Sequence, residues 1–396
     1  MNAAERPIRV ALVQRVLSPY RVPVFERLAA RPEFTLRVFF GDPVKGTKIK
    51  NAADTGTLDV RQMKTFCLQT KSSGRNVPLL WHPALFFRLM AFSPRVILCE
   101  GNSNILNNIF IYLYAFLFRR KIVWWSLGQL PNREYRGLSS LYMKLVQFLE
   151  RRADGWLGYS SMAVRHFLAR GYPRERVFLA VNCVDTDAVF RDIDASASRV
   201  DAIRSELRLD DRWVILFVGA LEAQKRLDRL FRAFARTRNN NPNATLLIVG
   251  GGAARPELEA LARTLNIEND VRFVGEVREG VSAYFLLANA FVLPGLGGLA
   301  VPQAMAHALP VICGPADGTE QDFVIDNQTG RVFSGSTDEE IEREIESLLA
   351  AWAANPAEAA RLGQNAKMLI ETKYNIHTFV ASIADCLLEI AGRNTR

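Results

Sequence analysis

The sequence predicts an α/β protein built from two Rossmann-like domains in tandem. The chain has 396 residues, more than one ordinary hydrophobic core contains. Short apolar runs alternate with helical segments through both halves, and this alternation is typical of parallel sheets with right-handed crossovers. In the second half, a turn containing Gly295, Gly297 and Gly298 lies between a strand and a helix. We therefore expect one domain over 1–190 and another over 191–374.

The composition is that of a folded, water-soluble protein, since 49% of the residues are hydrophobic and 23% are charged. Five cysteines without paired spacing favour a reducing compartment and indicate neither a disulfide framework nor a metal site. The first residues, MNAAERPIRVALVQ, lack the apolar core of a secretory signal. We therefore expect the protein to be cytoplasmic.

Charge is unevenly distributed along the chain. Residues 1–190 contain 28 Lys and Arg and 13 Asp and Glu, a net charge of +15, whereas 191–396 contain 22 and 28, a net charge of −6. A basic half attracts nucleic acid, an anionic membrane or an acidic substrate. Since neither zinc-ligand spacing nor an RNP-like aromatic run accompanies it, we expect an anionic membrane surface or a phosphorylated lipid, and no nucleic acid.

The most apolar stretch of the chain is LNNIFIYLYAFLF, at 106–118. It is too short to span a bilayer. A buried helix is the favoured interpretation. Contact with a membrane surface, supported by the adjacent Arg119, Arg120 and Lys121, is the alternative.

The first half alternates apolar strands with helices. Strands are predicted at 8–13, 36–40, 96–99, 122–125, 155–159 and 177–181, and helices at 22–30, 83–91, 106–118, 138–152 and 163–170. The polar, basic segment 41–76 predicts a flap with a weak strand at 64–67. Open parallel sheets bind ligands at the carboxyl ends of their strands, so Tyr20 and Arg21 are candidate binding residues, with an exposed surface turn as the alternative.

The second half repeats this pattern and ends in helices. Strands are predicted at 214–218, 245–249, 271–274, 291–293 and 310–313, and helices at 199–207, 227–237, 256–265, 284–287, 299–308, 339–350, 356–372 and 379–390. Gly250 and Gly251 follow a strand, but Arg255 stands where a dinucleotide fingerprint has its third glycine. The fingerprint is therefore a weak indication of a dinucleotide.

The stretch AFVLPGLGGLAVPQAMAHALPVICGP, at 290–315, combines strand, glycine turn, helix and strand. Such a turn directs backbone N–H groups and the positive end of a helix at an anion, so a phosphate-bearing ligand is expected there. A purely structural turn is the alternative, because glycine-rich strand-to-helix turns are common in α/β proteins.

Several segments, in this order along the chain, resemble family 4 of the retaining glycosyltransferases, which have the GT-B fold. The segments are SPYRVPVFERLA, ILCEGN, ADGWLGYSS and VNCVDTDAVF in the first half, and FVGALEAQKRLDRLFRAF, LLIVGGGAARPELEALA, VRFVGEV, PGLGGLAVPQAMAHALPVI and GTEQDFVIDNQTGRVF in the second. The resemblance implies two Rossmann-like domains facing each other across a cleft, with a C-terminal helix at 375–396 packed on the first.

The resemblance implies that the site binds a UDP- or GDP-sugar as a co-substrate. It also implies that the reaction uses neither a metal nor another cofactor. Lys225 matches the lysine that contacts the diphosphate, and with Gly297 and Gly298 it forms the expected catalytic group. The expected donor-binding residues are Gly219, Lys225, Gly250, Gly251, Glu276, Val277, Gly295, Gly297, Gly298, Leu299, Ala300 and Gln303; Glu276 and Val277 lie against the base and Gln303 reaches the ribose. The expected acceptor-binding residues are Tyr20, Arg21, Glu100 and Asn102.

The sequence departs from the family pattern at several of these places. Gly295 and Gln303 occupy the positions of two glutamates, Ala220 that of an arginine, and Leu127 that of a histidine. We expect the glycine turn to hold the donor through its backbone, and a glutamate at position 295 to be tolerated or to change donor preference.

The resemblance implies a retaining hexosyltransferase that makes a cell-surface polysaccharide or glycolipid. Its acceptor is a glycan or a lipid-pyrophosphate-linked sugar, and the enzyme is peripheral on the cytoplasmic face of the membrane. Two alternatives remain open at this point. One is a catalytically inactive nucleotide-sugar-binding subunit, and the other is a GT-B-like nucleotide-sugar epimerase.

Overall fold

The computed structural model describes residues 6–43, 50–72, 75–128, 138–316 and 318–392. The chain divides into two compact units, one of Met1–Asn182 with His377–Arg396 and the other of Cys183–Ile376. The boundary therefore precedes the expected one at 190. The reason is that the helix Thr186–Ser196, which Asp185 caps through a hydrogen bond from the Ala188 N–H, packs on helices of the second unit.

The first unit contains a seven-stranded parallel sheet with the order β3-β2-β1-β6-β7-β8-β9. The strands are β1 (Ile8–Val13), β2 (Phe34–Gly41), β3 (Val60–Met63), β4 (Phe66–Ser72), β5 (Arg75–Trp81), β6 (Val96–Glu100), β7 (Lys121–Ser126), β8 (Gly155–Gly158) and β9 (Val177–Leu179). The helices of this part are α1 (Val22–Ala29), α2 (Leu85–Phe92), α3 (Ile105–Phe118), α4 (Leu138–Glu150) and α5 (Ser161–Ala169), with 3-10 turns at Pro19–Arg21, Asn102–Asn104 and Arg174–Arg176.

The strands at the centre of this sheet are continuous apolar runs because helices cover both of its faces. The chain passes from β1 to β2 and β3 on one side and from β6 to β9 on the other, so the strand order reverses between β1 and β6. The prediction for 41–76 was incomplete. This segment contains β3, which joins the sheet, and β4, which pairs with β5 as an antiparallel hairpin; residues 44–49, 73 and 74 lie outside the described residues.

The second unit contains a six-stranded parallel sheet with the order β12-β11-β10-β13-β14-β15. Its strands are β10 (Trp213–Val218), β11 (Ala244–Val249), β12 (Val271–Gly275), β13 (Ala290–Leu293), β14 (Val311–Cys313) and β15 (Gly330–Val332). Its helices are α6 (Thr186–Ser196), α7 (Val200–Glu206), α8 (Leu227–Asn240), α9 (Arg255–Thr264), α10 (Ser282–Leu286), α11 (Ala300–Ala306), α12 (Glu320–Phe323), α13 (Asp338–Ala354) and α14 (Pro356–Thr372), with 3-10 turns at Ala197–Arg199 and Ala223–Lys225.

The last helix, α15 (Ile376–Gly392), returns to the first unit. The ring of Phe379 lies 6.3 Å from that of Trp125, and the absence of a side chain on Gly155 leaves room for Ile390. This packing agrees with the expectation for the C-terminal helix, of which residues 393–396 lie outside the described part. No helix among the described residues is long and apolar enough to cross a membrane.

Candidate functional site

Two loops of the second unit meet where its strand order reverses. The Lys225 loop follows β10, and the glycine loop, 294–299, follows β13, the neighbouring strand. The Lys225 Nζ donates hydrogen bonds to the carbonyl oxygens of Leu296 at 2.7 Å and Gly297 at 2.5 Å. The Leu296 N–H in turn donates to the Gln224 carbonyl at 2.9 Å. A half-buried ammonium is thus fixed against the glycine loop at the place where open α/β sheets bind ligands.

The glycines of this loop have different physical roles. A Cβ on Gly295 would lie 2.5 Å from the carbonyl carbon of Lys225 and 2.6 Å from the carbonyl oxygen of Gln224, so only glycine fits there. A Cβ on Gly298 would meet only the Lys225 Nζ, at 3.4 Å. Position 295 therefore has no room for a glutamate, and the expectation that one is tolerated there was wrong. Gly298 is exposed, and the space beside it is open apart from the Lys225 ammonium.

The predicted helix 299–308 is shorter in the structure. α11 begins at Ala300, after Leu299 as its N-cap residue, and ends at Ala306. Ala308 has a φ of 58°, which is left-handed and does not continue a helix. Because the helix has only seven residues, its dipole contributes little to an anion site. The Lys225 ammonium is the positive charge that contacts the Leu296 and Gly297 carbonyls of this loop.

The loops after β10, β11 and β12 lie side by side. Gly219 has a φ of 155°, and its N–H donates to the Val249 carbonyl at 3.0 Å. Gly250 has a φ of 139°, and a Cβ on it would lie 1.9 Å from the Gly219 carbonyl oxygen. Gly250 is therefore required for close packing of the two loops, whereas the positive φ of Gly219 favours glycine at that position.

The remaining predicted donor residues lie along the same edge of the sheet. Gly251 is half-buried, and a Cβ on it would lie 3.8 Å from that of Glu276, an exposed residue that pairs with Arg278 at 3.1 Å. Val277 is half-buried beside it. Gln303 is half-buried on α11, and its carbonyl lies 2.7 Å from the Nδ1 of His307. Burial lowers the pKa of His307 to about 4, so that the ring is neutral at pH 7.

Sequence reasoning missed the ion pairs that hold the Lys225 loop. Arg226, with a φ of 50°, pairs with Asp228 at 2.9 Å and with Asp338 at 2.5 Å. Arg229 pairs with Asp338 at 2.6 Å and donates to the Pro294 carbonyl at 3.3 Å. Hydrogen bonds from Arg226 and then Arg229 lower the pKa of Asp338. This cluster joins the start of α13 to the start of α8 and to the end of β13.

The first predicted pair of acceptor residues differs in exposure. Tyr20 is exposed, whereas Arg21 is only 5% exposed. The Arg21 guanidinium lies 4.1 Å from the ring centroid of Trp125, 5.0 Å from that of Tyr159 and 6.0 Å from that of Phe379. The sequence placed Arg21 correctly after β1 but could not show this enclosure. Arg21 orders a cage of aromatic rings, and Tyr20 is the residue of the pair that offers an exposed surface.

The second predicted pair lies at the carboxyl end of β6. A Glu100 Oε2 accepts a hydrogen bond from the Arg15 N–H at 2.9 Å, where the strand order of the first sheet reverses. Asn102 is half-buried, and its carbonyl accepts a hydrogen bond from the Tyr142 hydroxyl. These two residues therefore lie at the equivalent edge of the first sheet.

The sequence is similar to a known protein family and to several characterised relatives. Residues 199–369 match the family model described as Glycosyl transferases group 1. The chain is 32% identical, over 46% of its length and 48% of the relative's, to the GDP-mannose-dependent alpha-(1-6)-phosphatidylinositol monomannoside mannosyltransferase of Mycolicibacterium smegmatis. It is 27% identical, over 51% and 52%, to the alpha-D-kanosaminyltransferase of Streptomyces kanamyceticus. The chain spans about half the length of the curated relatives it matches.

Solved structures match nearly the whole chain. The Anabaena protein HepE, solved in complex with UDP, superposes with a TM-score of 0.72 over 96% of this chain and 99% of that chain, at 17% identity. The same protein has also been solved in complex with UDP-glucose. Residues 199–369 are thus similar to the glycosyl transferases of group 1, and the α/β fold with two parallel sheets is the GT-B fold of the matched structures.

Proposed function

We propose that the protein transfers a sugar from a UDP- or GDP-sugar to a glycan or lipid-linked acceptor, with retention of configuration. The observation that carries this proposal is the Lys225 ammonium, fixed to the Leu296 and Gly297 carbonyls where the strand order of the second sheet reverses. A nucleoside diphosphate has two phosphates whose charge this ammonium offsets. HepE, which has the same fold, binds UDP and UDP-glucose.

In the proposed reaction the bond between the anomeric carbon and the diphosphate oxygen breaks, and an acceptor hydroxyl oxygen forms the new bond to that carbon. The hydroxyl proton passes to the departing diphosphate, on which negative charge develops. Lys225 stabilises that charge as it develops, so the enzyme needs no metal for this step. Gly298, without a side chain, leaves its space to the phosphates or the sugar. Glu276 and Val277 lie against the base, and Gln303, which replaces a glutamate of the family pattern, donates to and accepts from the ribose hydroxyls.

The proposed acceptor contacts the exposed ring of Tyr20 with Glu100 and Asn102. A lipid-pyrophosphate-linked sugar accounts for the charge of +15 on residues 1–190 better than a free sugar does. The name of the mycobacterial relative states that it acts on a phosphatidylinositol monomannoside, which is a glycolipid. We therefore propose a peripheral enzyme of the cytoplasmic membrane face that acts in cell-surface polysaccharide or glycolipid synthesis.

One observation favours a second candidate, a nucleotide-sugar-binding subunit without activity. The family pattern has a glutamate where this chain has Gly295, and the backbone of Gln224 and Lys225 leaves that glycine no room for a side chain. Under the transferase proposal, the reaction therefore proceeds without a carboxylate at position 295. Turnover separates the two candidates.

A panel of UDP-, GDP- and dTDP-sugars tests the proposal in two stages. A thermal-shift measurement identifies the donor, since a ligand at 100 times its Kd adds about 2.7 kcal/mol to the stability of the unit that binds it. Proton NMR then follows this donor with and without a glycolipid acceptor. Product with the anomeric configuration of the donor supports retaining transfer. Binding without any transfer or hydrolysis leaves the inactive subunit, and interconversion of the free UDP-sugar identifies an epimerase.

A further inference from the structure

The outward side of α3 is apolar and exposed to solvent. Its fourteen residues include no charged side chain, so the sequence predicts burial on all sides. Instead, Ile109, Leu113, Phe116 and Leu117 are exposed along one face, and Phe116 reaches 82% exposure. These positions are spaced three, four and seven or eight residues apart, so that they share one side of the helix. A contiguous row of exposed apolar side chains, unlike a single one, marks an interaction surface.

Neighbouring elements extend this face. Phe87 on α2 is 70% exposed, and its ring contacts Phe86, which contacts Tyr114, which in turn contacts Phe118 at the end of α3. Nearer the start of the helix, the exposed rings of Phe66 and Trp81 pack on each other, and Trp81 stacks on the ring of Phe110. The result is one continuous surface of exposed rings and aliphatic side chains, which we call the α2–α3 face.

The border of the α2–α3 face is basic. Arg88, Arg119, Lys144, Arg151 and Arg152 are exposed around it, and α2 and α3 contain neither Asp nor Glu. This charge complements an anionic surface rather than a second basic face of the same chain.

A groove of about 410 Å³ opens between α3 and α4, next to Phe116. Phe116 and Phe148 line it together with Arg120 and Arg152, and the Arg152 guanidinium lies 4.4 Å from the ring centroid of Phe148. Asp154, at the same groove, is paired with Lys121 at 2.9 Å. Apolar rings beside arginines suit the boundary between lipid phosphates and acyl chains.

We propose that the α2–α3 face inserts its exposed rings into the headgroup–acyl boundary of a bilayer that contains anionic lipid. The basic border binds the lipid phosphates, and Phe87 and Phe116 enter the apolar layer. The attachment is therefore partly apolar, and salt weakens it without removing it. The proposal deepens the proposed function and rests on it for its purpose, since a lipid-linked acceptor lies in the same membrane.

Vesicle flotation of the full-length protein tests this face without any donor or acceptor. The vesicles are an equal mixture of phosphatidylcholine and phosphatidylglycerol, compared with phosphatidylcholine alone. We expect the wild-type protein to partition onto the mixed vesicles and to keep part of this binding at about 1 M salt, where charge interactions are screened within a few ångströms. The double variant Phe87→Glu, Phe116→Glu is expected to bind at least about tenfold more weakly, because two buried rings are lost and two like charges face the lipid.

Met368→Glu is the matched control, because Met368 is 57% exposed on α14 of the second unit. We expect it to bind vesicles as the wild type does. Equal binding by the double variant and the wild type, or complete loss of wild-type binding at high salt, would overturn the proposal. So would a dimer in analytical ultracentrifugation that the double variant dissociates, since a second copy would then cover the face. Titration of a nucleotide sugar into the same variants measures the proposed donor binding separately from membrane binding.

Discussion

Lys225 is the residue on which the proposed chemistry depends most. Its ammonium lies 2.7 Å and 2.5 Å from two carbonyl oxygens of the glycine loop, so its position is fixed before a ligand arrives. We expect Lys225→Ala to lower kcat by about a hundredfold and to weaken donor binding, because the charge of the departing diphosphate is no longer offset. Lys367→Ala, at a half-exposed residue of α14 that pairs with Glu371 at 3.8 Å, is the control and should leave both constants unchanged. Wild-type kinetics for Lys225→Ala would remove this residue from the mechanism.

Two glycines of one loop are expected to differ in how much stability the same substitution costs. Gly295→Ala places a Cβ 2.5 Å from the Lys225 backbone and is expected to cost about 1–3 kcal/mol of the free energy of unfolding. Gly298→Ala meets only the end of a lysine side chain, and we expect a change of about 0.5 kcal/mol or less. Urea denaturation of both variants measures the difference. Equal stability would show that the loops after β10 and β13 are not packed as described.

Some of these residue roles were predictable and others were not. Lys225 and the glycine turn could be assigned because their signals are local, within a short stretch of sequence. The requirement for Gly295 could not, because it comes from the backbone of Gln224 and Lys225, some seventy residues earlier in the chain. Arg21 was predicted at an open strand end, and only the packing of Trp125, Tyr159 and Phe379 around it shows that it is buried.

At the scale of elements, the strands and helices of both sheets were largely predictable from apolar runs and glycine punctuation. The hairpin of β4 and β5 was not, because β4 lies in the polar, basic segment 41–76, where only a weak strand at 64–67 was predicted. The helix α3 shows the limit of hydrophobicity as a guide. Its composition predicted a buried helix, and the structure leaves one side of it in solvent.

The ion pairs of Asp338, at the start of α13, predict an effect of this residue on donor binding. Asp338 holds Arg226 and Arg229, and Arg229 donates to the Pro294 carbonyl beside the glycine loop. We expect Asp338→Asn to weaken donor binding and to cost at most about 1 kcal/mol of stability at pH 7, since the carboxylate is half-exposed and solvent screens it. Calorimetry and urea denaturation measure the two effects.

The same substitution has an expected pH dependence. Arg226 and Arg229 lower the pKa of Asp338, so the wild type gains stability above the ordinary Asp value of about 3.9 and loses it as the pH falls through the lowered pKa. The stability difference between wild type and Asp338→Asn should therefore shrink at acid pH. Glu339→Gln, which breaks only a pair with Arg343 on the same helix, is the control for general charge effects. A difference that grows on acidification would contradict this assignment.

In the molecule as a whole, positive charge and exposed apolar surface are both concentrated in the first unit. The net charge of +15 was evident from the sequence, and it predicted an anionic partner. Membrane contact of 106–118 was only the alternative interpretation of the sequence, because exposure depends on which side of each helix the sheet covers. Residues 199–369, which match the group 1 family model, and the Lys225 loop belong to the second unit, so the proposed donor site and the proposed membrane face belong to different units.

The central claim is that the Lys225 and glycine loops form a nucleotide-sugar site. Calorimetric titration of UDP- and GDP-sugars into the wild type and Gly298→Val tests it most directly, with the melting temperature of each protein as the check on folding. We predict one donor bound per chain by the wild type and no binding by Gly298→Val at an unchanged melting temperature, because the valine fills the space that the ligand needs. Wild-type affinity in Gly298→Val, or no binding of any nucleotide sugar by the wild type, would contradict the account.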